Sequence, residues 1–476
     1  MPVDSQHADF SAALARWERA RDAAAGQDAV HAKGARYLPK LAEQTDTEYD
    51  GYKCRALYYN ATGRTVDGLT GLVFRREPAV EIPDALDYLR EDIDTCGTPL
   101  LAFSEKVVDE LLTVGRLGLL VDYPPLQTAR TQAEEKAAGG RPYIKTYCAE
   151  SIINWRVQRV GNRNMLTLAV LKEQAEERDD DYTVKMADTW RVLRLADGVY
   201  TQELWRKNPN KQDEFILVDG YPVTPLMGGK PMDFIPLLIC GPMGVDACVQ
   251  KPPILDLADV NISHYRTTAD YEHGLHFTGL PTPIVTGHQF SDGETFALGS
   301  TTVKGFPNPD ARATFLEFQG TGLTQLSKRL DEKEAMMAAL GARMLAAEKR
   351  AAEAAETAAI HRAGENSVLG SLANAASAAI SKALNWCLQW AGVQAEAKVE
   401  LNTDYLPTGL SAQEVTALVA AWQAGAISHR TLHDNLLRGE VARQGVDFDE
   451  EKSEIESEGP KLGAMEDPAA GGSGGA

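Results

Sequence analysis

The stretch PPILDLADVNISHYRTTADYEHGLHFTG, residues 252–279, constrains the fold more than any other part of the chain. Pro252 and Pro253 suit the opening of a helix, and the residues behind them read as one helix over 254–278. Ile254, Ala258, Ile262, Tyr265 and Ala269 define one face. Leu257, Val260, Tyr271 and Leu275 populate another. A helix on the surface of a globular protein needs one apolar stripe, so two of them ask for neighbours on more than one side. Those neighbours come from the same chain or from an assembly of copies.

Other segments fall around it. Residues 9–26 carry Phe10, Leu14 and Trp17 on one helical stripe. Residues 45–72 read as helix with looser periodicity, ending in a strand-like LVF. A Pro-punctuated acidic connector with a short helix follows. Pro99 opens a cleaner helix over 99–115, whose apolar face is Val107, Val108, Leu111 and Leu112, and GLLVDYP after Gly115 reads as a strand. From 141 to 240 the texture turns strand-like: YIKTYCA, MLTLAVL, TWRVLRL, VYTQELWR and EFILVD are the candidates. Asp197-Gly198 between two of them is a hairpin signal. The acidic run EQAEERDDDYT reads as a solvated loop, without the ligand spacing of a calcium site. TPIVTG, STTVKGF and ATFLEF are short strands within 281–320. Residues 323–392 are the most helical part, rich in Ala, Leu, Glu, Lys and Met, with Gly341 interrupting the run. Ser411 and Glu414 make a capping-box pattern.

The 476 residues carry a net charge of −20 at pH 7. That excludes a conventional DNA reader, which binds through a basic patch. It leaves room for a protein that handles DNA without gripping it. No apolar run is long enough to span a bilayer, and the N-terminus lacks the apolar core of a signal peptide. The chain is therefore expected in the cytoplasm where it is made, without a membrane. Its six cysteines are scattered, with no C-x-x-C pair, which predicts reduced and mostly buried thiols.

Chemistry-bearing motifs are absent. Gly63 and Gly68 have Walker spacing, but Leu69 stands where the lysine is required. Those glycines fit a helix with a small-residue face better than a phosphate loop. His429 and His433 share a helix face without a third ligand. His264, His273 and His276 lie on the 254–278 helix, again without a partner pattern for a metal. Asp122 reads as a turn residue before Pro124 and Pro125. The expectation is no catalytic residue, no cofactor and no metal.

Several stretches, in order, resemble the portal proteins of tailed bacteriophages, in a subset classed as a domain of unknown function. They are ARYLPKL, YDGYKCRALYYNATGRTVDGLTGLVFRREP, GRLGLLVDYPP, PPILDLADVNISHYRTTADYEHGLHFTGLPTPIVTG, ATFLEFQGTGL, LGARML and ETAAIHRAGENSVL, covering most of residues 35–392. The resemblance implies an α+β portal fold with wing, helical stem, strand-rich clip and small helical crown. On that map residues 1–98 start the wing, 99–115 are the first stem helix and 116–250 the clip. Residues 251–279 are the second stem helix, and 280–392 complete the wing with its long helices. The tunnel loop falls near 340–357, at Gly341. Residues 393–446 make the crown, and 447–476 a disordered acidic and Gly-rich tail.

The resemblance also implies a homo-oligomeric ring, a dodecamer, at one capsid vertex of a virion assembled in the host cytoplasm. Double-stranded DNA passes through its channel during packaging and ejection. Terminase, a tail adaptor and a major capsid or scaffold protein are the implied partners, with terminase supplying the energy. Asp256, Asp259, Asp270 and Glu272 are candidates for acids facing the channel, with ordinary solvated charges as the competing reading. Arg343, Lys349 and Arg350 are candidates for contact with phosphates at the constriction. The rival classes are an enzyme acting on nucleic acid or the cell envelope through an unrecognised site, and another phage head–tail structural subunit.

Overall fold

The computed structural model describes residues 2–123, 140–178, 183–279, 282–287, 308–316, 321–344, 367–405, 412–438, 441–442 and 448–457. The chain forms two compact units, Met1–Thr403 and Asp404–Ala476. The larger unit is a mixed α/β body in which helices pack together and against antiparallel sheets.

Its N-terminal part is helical. Helix α1, Ala8–Ala25, buries Phe10, Ala13, Trp17, Ala20 and Ala23 at helical spacing and stops at Gly26. Leu14 falls at the edge of that stripe, half-buried. Helix α2 is Gln27–Ala32. Helix α3, Asp46–Arg55, starts with a capping box in which Thr45 and Glu48 satisfy each other's backbone N–H groups. Helix α4 is Ala61–Val73, so LVF closes a helix and is not a strand. The strand comes later, as β1, Ala79–Glu81. At Gly63, α4 meets the end of α1 so closely that a Cβ would stand 2.4 Å from the carbonyl oxygen of Ala24. The glycine there serves backbone approach. Gly68 and Gly71 have open space around them.

Helix α5, Leu100–Thr113, is buried along Phe103, Val107, Val108, Leu111 and Leu112. Arg21 of α1 ties it to the rest of the unit, donating to Glu110 at 2.5 and 3.0 Å and to Glu150 at 2.8 and 2.9 Å.

Two sheets follow. Strands β2 (Leu117–Asp122), β3 (Tyr143–Cys148), β11 (Leu237–Gly241) and β12 (Gly244–Val245) form an antiparallel sheet in the order β12-β11-β2-β3. All residues of β2 and β11 are buried, which is why both read as unbroken apolar runs. Strands β4 (Ile152–Val160), β5 (Arg163–Arg178), β6 (Val184–Ala196), β7 (Val199–Asn208) and β8 (Lys211–Leu217) form a second sheet, an antiparallel meander. The expected hairpin is present: Ala196 pairs with Val199, and Asp197 and Gly198 both have positive φ, 51° and 75°, as a two-residue turn of this type requires. The short pair β9 (Leu226–Met227) and β10 (Lys230–Pro231) comes between β8 and β11 in the chain. The acidic run is not all loop, since β5 extends through Arg178. Residues 179–182 of that run lie outside the described residues.

Helix α6, Leu255–Gly279, is the helix expected over 254–278. It packs on α1, α3 and α4. Ala258, Ile262, Tyr265 and Ala269 join Tyr49, Tyr52 and Tyr58 in one buried cluster, while Leu257, Asn261, His264 and Thr268 are buried on its other sides. The demand for neighbours on more than one side is thus met within this chain as far as Ala269, the first of the two sources that the pattern allowed. Large apolar side chains of α6 are exposed only in its last turns, Leu275 at 39% and Phe277 at 56%.

The expected short strands at TPIVTG and ATFLEF are present as β13 (Thr282–Thr286) and β14 (Arg312–Leu316), which pair antiparallel with each other; STTVKGF lies outside the described residues. Helix α7, Thr321–Arg343, then lies along α6. Gly341 does not break it. A Cβ at Gly341 would stand 3.2 Å from Cγ2 of Thr65, so the glycine admits α4 at close range. Beyond Met344, the expected tunnel loop lies outside the described residues.

Helix α8, Val368–Ala391, is capped by Ser367 and ends at Gly392, φ 72°. Its Ala-rich face covers β2, β11, β12 and α5. Its other side holds an extended strand, β15, Lys398–Glu400, which pairs with β1. Asn385 accepts from the Ala397 N–H at 3.0 Å and donates to the Ala397 carbonyl at 2.8 Å. The Ser381 Oγ accepts from the Val399 N–H at 2.9 Å, and the Ser377 Oγ accepts from the Leu401 N–H at 3.0 Å. Four helical residues rise about 6 Å and two strand residues about 6.6 Å, so successive side chains of α8 meet alternate residues of the strand. This ladder and β15 lie within the larger unit, so residues 393–403 belong to it.

The smaller unit contains α9 (Ala412–Gln423), α10 (His429–Arg438) and α11 (Phe448–Ser457). Ser411, the expected cap, lies outside the described residues. The tail expected to be disordered from 447 opens with α11. Asp449, Glu450 and Glu451 complement its N-terminal dipole, and Phe448 packs edge-on against His429 and His433. Residues 458–476 lie outside the described residues.

Candidate functional site

The α6–α7 pair carries most of the residues singled out in the sequence. Asp256, Asp259 and Asp270 fall on one side of α6, and Glu272 near the opposite side. Each of the three aspartates has a partner in its own chain. Lys251 lies 2.5 Å from Asp256, and Arg19 of α1 lies 2.6 Å from Asp259. Tyr52 of α3 donates to Asp270 at 2.6 Å. Glu272 is half-buried. Arg343 is exposed in the last turn of α7. Lys349 and Arg350 lie outside the described residues. The structure therefore brings three of the seven candidates onto one stripe, along which Arg19 and Lys251 offset part of the negative charge.

The seam between α6 and α7 brings a lysine that the sequence does not flag beside histidines that it does. Lys333 is buried and donates to the carbonyl of Ser263 at 2.8 Å and to Oγ1 of Thr267 at 2.5 Å. Burial holds its ammonium below the usual lysine range, with Arg329 and Arg266 pushing the same way. His264 is buried beside it, Nε2 3.5 Å from Glu334, and burial lowers its pKa despite that carboxylate. Gly274 admits Leu323 of α7: a Cβ there would stand 2.6 Å from its Cδ2. His273 stacks edge-on with Tyr52 and Phe277. These histidines serve packing.

A second constellation joins the two sheets. Glu173 of β5 faces Arg191 of β6, with Lys145 and Tyr147 of β3 donating to the same carboxylate. Arg191 also donates to Oε1 of Gln202 at 3.0 Å, and Gln202 Nε2 donates to Asp122 at 3.0 Å. Asp122, expected as a turn residue, thus closes a buried polar network, with Tyr143 donating to it at 3.3 Å. Burial and the Glu173 charge push the Tyr147 hydroxyl far above its ordinary value. With every member partnered, the network is a clamp between sheets and lacks an open position for a reacting group.

Among the described residues no group of three His, Cys, Asp or Glu side chains is placed to hold a metal ion. His429 stacks on Trp422 with ring centroids 5.1 Å apart, which leaves the His429–His433 pair in a packing role. The cysteines are free, but only Cys240 and Cys387 are buried, while Cys54, Cys96 and Cys248 are exposed. The expectation of mostly buried thiols is corrected accordingly. Burial pushes Cys240 up to about 12. Among the described residues no helix is long and apolar enough to cross a membrane.

A sequence family described as a domain of unknown function, DUF4055, matches residues 253–391, from the start of α6 to the end of α8. No curated protein matches the chain. Among solved structures, the chain is similar to one from the neck of an empty GTA particle computed with C6 symmetry, at 12% identity and a TM-score of 0.39, covering 88% of this chain and 99% of that one. It is similar to a chain of the virion of a native gene transfer agent particle at 13% identity and a TM-score of 0.39, covering 86% and 98%. A chain from the neck of a native GTA particle computed with C12 symmetry matches at 11% identity and a TM-score of 0.39, covering 79% and 89%.

Proposed function

We propose that the chain is a portal-type subunit. Copies close into a ring, a dodecamer, at one capsid vertex of a phage, and double-stranded DNA passes through the channel during packaging and ejection. The observation that carries this reading is the ordered series of portal-like stretches across residues 35–392. The open ends of the long helices support it. The last turns of α6 leave Leu275 and Phe277 exposed, and on α7 only Lys333 and Met337 are buried among the described side chains. Both helices thus offer surface to a neighbouring copy.

On this reading α5 and α6 are the stem helices and the strands between them the clip, where terminase and later the tail adaptor dock. The subunit itself turns nothing over, and the ATPase of terminase drives the DNA. The chain's net charge of −20 suits passage, because few phosphates are neutralised and little holds the duplex. On the same reading Arg343, Lys349 and Arg350 are the candidates for contact with phosphates at the constriction. Electron micrographs of the purified protein over a range of concentrations test this. Rings with a central hole that admits a duplex are the expected result. A closed oligomer without a channel, at concentrations where all of the protein has assembled, would contradict it.

A further inference from the structure

The chain holds 68 acidic residues against 48 basic ones, yet residues 151–172 contain Arg156, Arg159, Arg163 and Lys172 and no Asp or Glu. That stretch is the β4–β5 hairpin. Val160 pairs with Arg163 across a two-residue turn, and Gly161 supplies the positive φ, 62°. The register shifts between Arg156 and Val157, a bulge that re-aims the outer half of the strand.

All three arginines are exposed. Arg159 bonds to its own turn, donating to the Gly161 carbonyl at 3.3 Å and to Asn162 Oδ1 at 3.1 Å. Among the described residues no carboxylate pairs with Arg156, Arg159 or Arg163. Between them Val157 and Val160 are 43% and 48% exposed. Beside the hairpin opens a groove of about 620 Å³, whose walls include Val157, Leu166, Phe234 and Trp386, with Arg163 and Lys382 set against Asp233 and Asp246.

We propose that this hairpin and groove dock an acidic polypeptide segment bearing apolar side chains, supplied by a partner protein. Three exposed arginines, none bonded to a carboxylate among the described residues, form a local positive field on a chain that is otherwise strongly acidic, and outweigh the nearby Asp233 and Asp246 that face Arg163 and the Glu203 that lines a neighbouring groove with Arg156. Such a field steers and orients an acidic partner. Val157, Val160, Phe234 and Trp386 supply the apolar surface that a polypeptide buries. A duplex finds nothing apolar to bury there, and the net charge of the chain repels it. The inference stands on the hairpin and does not depend on ring formation.

Fluorescence anisotropy of the full chain with a labelled poly(Glu,Tyr) copolymer tests it, between about 50 and 200 mM salt. Binding that weakens with salt is expected. The combined variant Arg156→Glu, Arg159→Glu, Arg163→Glu should lose at least about tenfold, and Val157→Ser with Val160→Ser about threefold. Lys328→Glu with Arg329→Glu, exposed on α7, should stay within about twofold. If the triple variant melts early, Arg156→Gln and Arg163→Gln singly should each lose about threefold. Absence of binding at low salt, equal binding by the arginine variants, or tighter binding of a short DNA duplex than of the copolymer would overturn the proposal.

Discussion

Glu173 and Arg191 meet across neighbouring strands as a two-pronged pair, Arg191 Nε donating to Oε1 at 3.0 Å and Nη2 to Oε2 at 3.2 Å. Burial alone would raise the carboxyl pKa. The charge and hydrogen bonds of Arg191, with Lys145 and Tyr147, outweigh it and hold Glu173 near 2, against 4.5 ordinarily.

The pH dependence follows from that sign. A carboxyl depressed in the folded state binds its proton more readily in the unfolded chain. Its contribution is therefore complete above pH 4.5 and lost as pH falls from there toward 2. The size is on the order of 2–3 kcal/mol. Urea melts at pH 7 and pH 3 should show the loss. Glu173→Gln should be destabilised at pH 7 by roughly 3 kcal/mol, since it leaves a buried guanidinium short of its partner, and its stability should change less across that window. An unchanged acid slope in this variant would assign the loss to other carboxylates.

Gly63 and Gly68 sit five residues apart on α4 and should respond oppositely to the same change. Gly63→Ala drives a Cβ against backbone, the carbonyl of Ala24, and should cost about 2–3 kcal/mol by forcing α1 and α4 apart. Gly68 is exposed with open space around it, so Gly68→Ala should stabilise by about 0.5–1 kcal/mol through helix propensity. Thermal melts of the two variants suffice. Equal effects would mean that the crossing of α1 and α4 is not tight at Gly63.

Local patterns made much of this fold legible in the sequence. Asp197-Gly198 names its own turn, Pro99 and Gly115 bracket α5, and the period of 254–278 marks α6. What stayed hidden depends on distant partners. Lys333 reads as a solvated helix charge until Ser263 and Thr267, about 70 residues earlier, come to meet it. Glu173 opens an acidic run and looks solvated until Arg191 and β3 enclose it. β1 has three residues and no alternation to detect; its partner is Lys398–Glu400, over 300 residues away. Gly341 reads as a breaker because propensity is local, whereas its reason is Thr65 on another helix. The two stripes of α6 were visible, but which chain covers them was not, because period reports burial and not the identity of the neighbour.

Asn261 should be the most sensitive polar position on α6. Fully buried, it accepts from the N–H and the hydroxyl of Thr62 at 3.0 and 2.8 Å and donates to the Tyr59 carbonyl at 2.7 Å. It thereby caps the start of α4 from a different helix. Asn261→Ala strands these buried groups and should cost about 2–4 kcal/mol. Asn261→Asp keeps the acceptor but sets an anion against the Tyr59 carbonyl, and should be no better at neutral pH. Denaturant midpoints of the two variants check both, and a loss below about 1 kcal/mol for Asn261→Ala would mean that water replaces the side chain.

The ladder on α8 makes a site-resolved prediction. Asn385, Ser381 and Ser377 act as the missing neighbour strand for Ala397, Val399 and Leu401, while β1 pairs with the other edge of β15. If these side chains hold the segment, the amides of Ala397, Val399 and Leu401 exchange slowly with solvent although no strand covers that edge. Asn385→Ala removes both bonds to Ala397, whose residue is 1% exposed. It should cost about 2 kcal/mol and speed exchange at Ala397 more than at Leu401, two rungs away. Ser381→Ala should do the same at Val399. Hydrogen exchange read residue by residue separates this from general loosening, in which all three amides would speed up together whichever rung is removed.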